Sequence, residues 1–448
     1  MKRNSLYAAL LLVFVGAAGF VIFKFKGAEN TKKSMVYELL ERNGVLATTD
    51  EWINIKKSAA RLVAAVKANP GDIKSKISLA NIFILEARAT GNYAYYDKAA
   101  MKNVNEVLEK EPENFEALTL KSLLYLSQHH FADGLALAEK AEKINPYNAF
   151  IYGILVDGHV EMGHYDSAVL SAERMMSIRP DLRSYARASY LREIHGDYPG
   201  AISAMKLAID AGAPGDEATE WSRVQLGRLY ENVGDLQNAA MNYTIASNER
   251  PGYVHAMAGM ARLAIAAKDY TKAITLYQQA DSLGDDFSVK EELVDAYQLA
   301  GQKEKAATTS KAVIDEMNKN AKGAAADESI GHYADRELAY AYLKVADYDN
   351  ALVHALAEYN RRPENIDVNE TLAWVYYQKG AYDKALPYIK VALKTNSKNP
   401  VLLCRAGLIY DKAGEKTMAK NYFQEGLKNN PNIPASLKIS SEQALKSI

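Results

Sequence analysis

The six residues Gly380–Ala385, GAYDKA, separate two apolar segments and have near-copies along the chain. These copies are GHYDSA, GDYPGA, KDYTKA and ADYDNA, which end at Ala168, Ala201, Ala273 and Ala351. Glycine ends helices because it adopts positive φ readily, and aspartate caps the start of a helix. We therefore predict a turn between two helices in every copy. Asp383 is the expected N-cap, with Asp166, Thr271, Asp349 and Thr417 at the same position.

A period of 34 residues runs through the chain. Three kinds of residue keep this spacing or share its register: Pro112, Pro146, Pro180 and Pro214; Ala351, Ala385 and Ala419; and the aromatic residues Tyr243, Tyr277 and Phe423, each four residues after an alanine. Self-similarity at a fixed period of this length is typical of repeat proteins.

One unit, Glu220–Pro251, shows the pattern in full. Its apolar residues fall on one face of a first helix and, beyond Gly234, on one face of a second helix. Small residues at Gly227 and Ala239 let the two helices approach closely. Tyr243 is then expected to fill the wedge toward the next unit.

This combination of small, aromatic and proline positions resembles the tetratricopeptide repeat, a helix–turn–helix solenoid family. The resemblance covers roughly Asn81 to Pro431. It implies an all-α fold, a right-handed α-solenoid of about ten or eleven tetratricopeptide-like helix pairs. A single transmembrane helix is expected before this solenoid.

The expected organisation has five parts: a basic flank (1–5), an apolar segment (6–23), a linker (24–34), the solenoid (35–431) and a C-terminal capping helix (432–448). Insertions are expected near 91–96, 212–219 and 319–331, the last as a small polar loop. Met35–Pro70 is interpreted as a degenerate first pair. Both ends need caps because each repeat buries its apolar face only against a neighbour.

The apolar segment Leu6–Phe23 contains no charged residue. As a helix it would be about 27 Å long, close to the thickness of the hydrocarbon core of a bilayer. We predict an uncleaved membrane anchor, and a cleaved signal sequence is the alternative. Lysines and arginines flank both ends, so charge does not set the orientation. We expect the solenoid on the extracytoplasmic, periplasmic side; a cytoplasmic or a cleaved and secreted solenoid stays open.

Composition and motifs argue against several classes of function. The chain has 54 Lys and Arg against 55 Asp and Glu, which does not favour nucleic-acid binding. The single cysteine, Cys404, lies in an apolar helical pattern and is expected in the core. His159 and His164 are five residues apart and do not share a helix face. We expect no enzyme activity, no cofactor and no metal.

The resemblance implies that the first helix of each pair lines a concave groove, with repeat positions two, five and nine pointing into it. The candidate peptide-binding residues at these positions are Arg187, Trp221, Arg228, His255, Arg262, Arg336, Tyr340 and Trp374. Guanidinium groups and aromatic rings are well suited to binding a peptide. The alternative is that these arginines pair with neighbouring acids such as Glu231 or Glu337.

We therefore predict a non-catalytic scaffold of the cell envelope that binds one or more partner proteins through peptides or helices in the groove. The second hypothesis is a glycan-binding or nutrient-capture envelope protein. It would use the aromatic residues of an insertion, and Tyr93, Tyr95 and Tyr96 are the available cluster.

Overall fold

The computed structural model describes residues 36–284, 287–326, 332–428 and 433–448. Over these residues the chain is an all-α repeat solenoid with 22 α-helices and one 3₁₀ turn, Gly44–Thr48. The predicted anchor, Leu6–Phe23, lies outside the described residues. Among the helices that are described, none is long and apolar enough to cross a membrane.

Ten helix pairs lie between two single helices, α1 (Asp50–Ala68) and α22 (Ala435–Ser447). The pairs are α2 (Ile73–Thr90) with α3 (Tyr93–Leu108), α4 (Phe115–Ser127) with α5 (Phe131–Ile144), α6 (Ala149–Met162) with α7 (Tyr165–Ile178), α8 (Leu182–Ile194) with α9 (Tyr198–Asp210), α10 (Glu217–Asn232) with α11 (Leu236–Glu249), α12 (Val254–Ala266) with α13 (Tyr270–Leu283), α14 (Phe287–Leu299) with α15 (Lys303–Ala326), α16 (Asp335–Lys344) with α17 (Tyr348–Arg361), α18 (Ile366–Gln378) with α19 (Tyr382–Ala392), and α20 (Pro400–Lys412) with α21 (Lys416–Leu427).

Two segments differ from the sequence-based expectation. The N-terminal part of the solenoid is the single helix α1, preceded by non-helical residues and the 3₁₀ turn, instead of a degenerate helix pair. The insertion expected to be a loop at 319–331 is helical through Ala326, because α15 continues into it. Its first part is rich in alanine and lysine, which are strong helix formers.

The turns inside the pairs use left-handed backbone as predicted, with Gly380 at φ +74°. The predicted caps, however, are two residues too late. Asp347 caps α17 by accepting from the Asn350 amide at 3.2 Å, and α19 starts after Ala381 without a side-chain cap. The aromatic residue of the motif is itself the first helical residue, so Asp383 lies inside the first turn of α19.

The aromatic position of the repeat packs as predicted. Tyr243 is fully buried and lies between two glycines, Gly227 of its own unit and Gly259 of the next. A Cβ on either glycine would lie 2.5–2.6 Å from the tyrosine ring. Phe423 and Gly407 repeat the arrangement in α21 and α20, where Cys404 is also buried. The glycines therefore make room for the ring that joins neighbouring helices.

Contacts between residues about 200 positions apart show that the solenoid closes on itself as a superhelix. Arg250 pairs with Glu51, 199 residues away, and Asn365 bonds to Val160, 205 residues away. These separations are close to six repeat periods. We call the contact of residues 42–51 with residues 250–252 the N-terminal interface. The C-terminal interface is the contact between residues 128–131 and 160–165 on one superhelical turn and residues 332–333, 361–366 and 394 on the next.

Candidate partner-binding surface

The first helices of successive pairs are linked by a series of ion pairs, which we call the ladder. Each rung joins a basic residue of one first helix to an acidic residue of a neighbouring one. The rungs are Asp157–Arg187, Glu231–Arg262–Glu292, Asp295–Lys344, Asp367–Arg336 and Glu370–Arg405. The face formed by the first helices is therefore polar and highly charged.

Two of the predicted arginines are held firmly in the ladder. Arg187 donates from Nε to Asp157 at 2.9 Å and to the Gly153 carbonyl at 2.9 Å. Arg262 bridges Glu231 at 3.1 Å and Glu292 at 3.3 Å. Burial opposes its charge, yet the two carboxylates keep the pKa of Arg262 well above its usual value. In this structure both arginines form ion pairs with neighbouring acidic residues. Glu231, one of the acids expected in the alternative interpretation, is the partner of Arg262.

The candidates in α10 and α12 have different environments. Arg228 is exposed and, in the part of the chain that the structure describes, forms no ion pair. Trp221 packs partly buried between the cores of neighbouring units. The His255 ring lies edge-on to Tyr253, with centroids 5.2 Å apart. Of these three, Arg228 has the side chain best placed to reach a ligand.

The remaining candidates, in α16 and α18, meet around an arginine that the sequence analysis did not select. The Arg405 guanidinium of α20 lies 5.3 Å from the Tyr340 ring centre and 4.9 Å from the Trp374 ring centre. It donates to the Tyr340 hydroxyl at 2.9 Å and to Glu370 at 2.8 Å. Contacts of this kind add cation–π attraction to the ion pair. We call Tyr340, Trp374, Arg405 and Glu370 the aromatic cluster.

Arg336 lies beside this cluster. Its guanidinium is 5.9 Å from the Tyr340 ring centre and 4.0 Å from Asp367. Burial disfavours its charge, but Asp367 and other nearby groups raise the pKa of Arg336 above its ordinary value. The ion pair of Arg336 with Asp367 is long, and its hydrogen bond to the Thr371 hydroxyl is 3.4 Å long. Arg336 is therefore held less tightly than Arg405.

The acidic half of this face was missed. Glu291, Asp295, Asp367 and Glu370 stand at the repeat positions two, five and nine from which the candidates were taken, but only basic and aromatic residues were selected there. Burial raises the pKa of Glu291 to about 7 and also raises that of Asp295, while Lys344 acts in the opposite direction. Applying the same register to acidic residues would have found all four.

Two side chains on the first helices α6 and α8 have raised pKa values. Tyr190 is 39% exposed, yet the surrounding protein, followed by the charges of Asp367 and Glu161, raises the pKa of Tyr190 well above its usual value. The Glu161 side chain is 36% exposed, and burial raises its pKa as well. The charge of Asp367, on the next superhelical turn, acts on both side chains.

The tyrosines of the second hypothesis do not form an exposed loop cluster. All three lie in the first turn of α3. Tyr96 is fully buried, and its hydroxyl accepts from the Leu40 amide at 3.1 Å. Tyr95 donates to the Glu38 carbonyl at 2.7 Å and packs against Tyr37. The insertion therefore holds the N-terminal segment in place, and only Tyr93 remains substantially exposed.

No group of three or more His, Cys, Asp or Glu side chains within the described ranges is arranged to hold a metal ion. His159 and His164 lie 5.8 Å apart between ring centroids, and burial lowers the pKa of His159.

Two sequence models of the tetratricopeptide repeat match the chain, one over residues 224–286 and 336–400 and the other over 401–433. These parts of the chain are therefore tetratricopeptide repeats. The matched residues fall in α10–α13 and α16–α21, which include the aromatic cluster. Tetratricopeptide repeat proteins generally mediate protein–protein interactions.

One relative is small glutamine-rich tetratricopeptide repeat-containing protein 2 of Saccharomyces cerevisiae, 31% identical over 123 residues. The match covers 27% of this chain and 34% of the yeast protein, so the chain spans about a third of that relative's length.

Two solved structures also match the chain. A thermophilic tetratricopeptide repeat protein of Thermus thermophilus is 19% identical, with 40% of this chain and 92% of that chain covered and a TM-score of 0.35. A human IFIT1 dimer with PPP-AAAA is 13% identical, with 85% and 91% covered and a TM-score of 0.45.

Proposed function

We propose that this protein is a non-catalytic scaffold of the cell envelope that holds a partner protein by a peptide or helix on the face formed by its first helices. The tetratricopeptide repeats support a protein–protein interaction role. The observation that carries the choice of surface is the aromatic cluster of Tyr340, Trp374, Arg405 and Glu370.

The aromatic cluster has the properties of a binding hot spot. Tyrosine, tryptophan and arginine contribute most to binding energy at protein interfaces. Trp374 is only partly buried and is stacked on Tyr377 at 4.9 Å, with an interplanar angle of 7°. Since Arg405 and Tyr377 both contact its ring, Trp374 loses little side-chain freedom on binding.

Anchoring by Leu6–Phe23 and an extracytoplasmic solenoid are part of the proposal. The support is the uncharged length of this segment. Membrane fractionation and external protease treatment of spheroplasts test it. The full-length protein should remain in the membrane fraction after a carbonate wash, and the solenoid should be digested from outside. Recovery of the protein in the soluble fraction would contradict the anchor. Protection of the solenoid from protease in intact spheroplasts would contradict the proposed orientation.

Photo-crosslinking in cells tests the surface. A photoreactive amino acid is placed at Trp374 in one strain and at Val353 in another; Val353 is 61% exposed on the second helix α17. We expect an adduct with one defined partner from position 374 and none from 353. The same partner should then be lost from pull-downs with Trp374→Ala and retained with Tyr147→Ala, since Tyr147 is 78% exposed elsewhere. Adducts from position 353 alone would overturn the choice of surface.

A further inference from the structure

Three histidines meet in the C-terminal interface. His129 and His130 form the turn between α4 and α5, and His332 and Tyr333 approach them from the next superhelical turn. The His129 and His332 rings are 4.2 Å apart between centroids. His130 stacks on Tyr333 at 4.1 Å. Two histidines from one superhelical turn thus contact two neighbouring rings from the next.

The backbone holds these rings in register. The Tyr333 amide donates to the Gln128 carbonyl at 3.1 Å, and the Tyr333 carbonyl lies 2.9 Å from Nδ1 of His129. His129 has a φ of +62°, a left-handed conformation that is unusual for a residue other than glycine. The same left-handed conformation occurs in the other turns inside the pairs, as at Gly380, so the ordinary turn of the repeat places the His129 ring beside His332.

The charged groups around the histidines are of both signs. Arg361 lies 4.5 Å from the Tyr333 ring, and Arg362 lies 4.3 Å from the Phe131 ring next to His130. The acidic residues nearby already form ion pairs. Glu161 pairs with Arg362, and Glu358 pairs with both arginines. Asp335 pairs with Arg361 and His354. Among the residues that the structure describes, the charge of Glu337 also acts on His332, and Asp133 lies 3.8 Å from His130.

We propose that His332, packed against His129 in the C-terminal interface, is an acid-sensitive latch that holds successive superhelical turns together at neutral pH and releases them when His332 is protonated. Protonation of His332 would place a positive charge within one group of closely packed rings that is already bordered by two arginines. The latch goes beyond the scaffold proposal, because it controls the shape of the solenoid whatever partner the solenoid binds.

The direction of the pH effect follows from His332. Burial and, next, the adjacent His129 lower the pKa of His332 to about 4 from its ordinary value of 6.5. The closed form thus binds fewer protons than an open form with a solvated imidazole. Its stability is fully present above pH 6.5 and is lost as the pH falls toward 4. At pH 5, His332 alone would shift the equilibrium roughly 30-fold toward the open form.

Opening would change access to the first-helix face beside this interface. Glu161 belongs to the C-terminal interface, Asp367 follows it on the next superhelical turn, and the charges of both act on Tyr190. Separation of the two superhelical turns at this interface would expose this part of the first-helix face to large ligands. The latch therefore couples pH to the accessibility of the inner surface.

Distance measurements between spin labels on the full chain test the proposal. Labels at Glu173→Cys on α7 and Lys390→Cys on α19 span the C-terminal interface, and Cys404 is buried. Labels at Glu173→Cys and Lys206→Cys lie on α7 and α9 of one superhelical turn and serve as the control pair. Between pH 7.5 and pH 5.0 we expect a longer, broader distance for the first pair and no change for the control pair.

Histidine variants identify the responsible group. His332→Gln cannot gain a proton and should keep the short distance at pH 5.0, whereas His255→Gln on α12 should open like the unmodified chain. If His332→Gln is already open at pH 7.5, His332→Phe replaces it, since phenylalanine retains a ring and cannot protonate. An unchanged distance at pH 5.0 in the unmodified chain, or opening that persists in His332→Phe, would overturn the latch.

Discussion

Packing inside the repeats and contact between superhelical turns use different chemistry. Within the repeats, Tyr243 fits between Gly227 and Gly259, and the contact is shape-dependent and largely apolar. At the C-terminal interface, Arg362 joins Glu358 to Glu161, and Asn365 bonds two backbone carbonyls of α6. The first kind of contact recurs along the solenoid, while the second involves residues that occur once.

This difference has a thermodynamic consequence. Apolar burial is nondirectional and depends little on pH, so the helix pairs should persist over a wide pH range. Buried ion pairs and hydrogen bonds gain little net energy but are costly to break on one side only. The interface between superhelical turns is therefore the part of the solenoid that a small chemical change can open without unfolding the repeats.

The largest expected effect is on repeat packing. Tyr243→Ala should lower the free energy of unfolding by about 3–5 kcal/mol, because it leaves a cavity between α10, α11 and α12. Tyr243→Phe keeps the ring and loses only the hydroxyl bonds to Glu231 and Arg262, so it should cost about 1 kcal/mol. Urea unfolding followed by circular dichroism, with hydrogen exchange across α10–α13, measures both. Equal losses for the two variants would contradict the packing role of the ring.

The second effect is at the C-terminal interface. Arg362→Leu should cost about 3 kcal/mol, since the buried Glu358 keeps only Arg361 and Glu161 loses its cation. It should also lengthen the label distance between α7 and α19 at pH 7.5. Arg192→Leu removes an exposed ion pair to Asp197 and serves as the control. If the label distance is the same in both variants, Arg362 does not hold the two superhelical turns together.

Two N-cap asparagines at equivalent repeat positions allow a direct comparison, with a smaller expected effect on the free energy of unfolding. Asn365 and Asn399 are 34 residues apart, and both cap a first helix through the side-chain oxygen. Asn365 alone also donates from its amide across the interface, to the carbonyls of Val160 and Glu161.

Asp in place of either asparagine keeps the cap. Asn365→Asp should therefore cost about 1–2 kcal/mol through the lost interface bonds, and Asn399→Asp should be nearly neutral. Thermal unfolding of the two variants side by side measures the difference. Comparable losses in both would mean that the amide of Asn365 adds nothing across the interface.

The smallest effect is expected at Arg228. Since this side chain is exposed and outside the ladder, Arg228→Ala should change the free energy of unfolding by less than about 0.5 kcal/mol. Arg262→Ala should cost more, because Glu231 and Glu292 lose their shared cation. Urea unfolding compares the two. A large loss for Arg228→Ala would show that it supports the fold, and its use as a binding residue would need a variant that spares stability.

The 34-residue pattern was enough to predict the helix pairs, their turns and the packing of the aromatic position. It failed in two respects. The predicted caps at Asp383 and Asp349 are inside the helices, because the pattern marks the turn but not which residue begins the helix. The helix through Ala326 and the contacts of Tyr95 and Tyr96 with residues 38–40 are specific to one place in the chain, so no repeating pattern predicts them.

The candidate binding residues also fall into those that the repeat pattern predicts and those that it does not. Sequence position was sufficient to select Arg336, Tyr340 and Trp374, but Arg405 lies outside the selected positions and joins them only through the packing of α16, α18 and α20. The groove assignment itself stays a prediction. The ladder explains why sequence could not rank the arginines: whether a guanidinium is paired depends on an acid in the neighbouring repeat.

Repeat periodicity, the all-α class and the helix–turn–helix unit can be derived from the sequence because every unit solves the same local packing problem with the same residue types. The closure of the superhelix cannot, since Arg362, Asn365 and His332 meet residues about 200 positions away. That meeting depends on small rotations between successive pairs, which add up over six repeats. A local sequence pattern does not show the total rotation over six repeats. Only the folded chain brings these groups together.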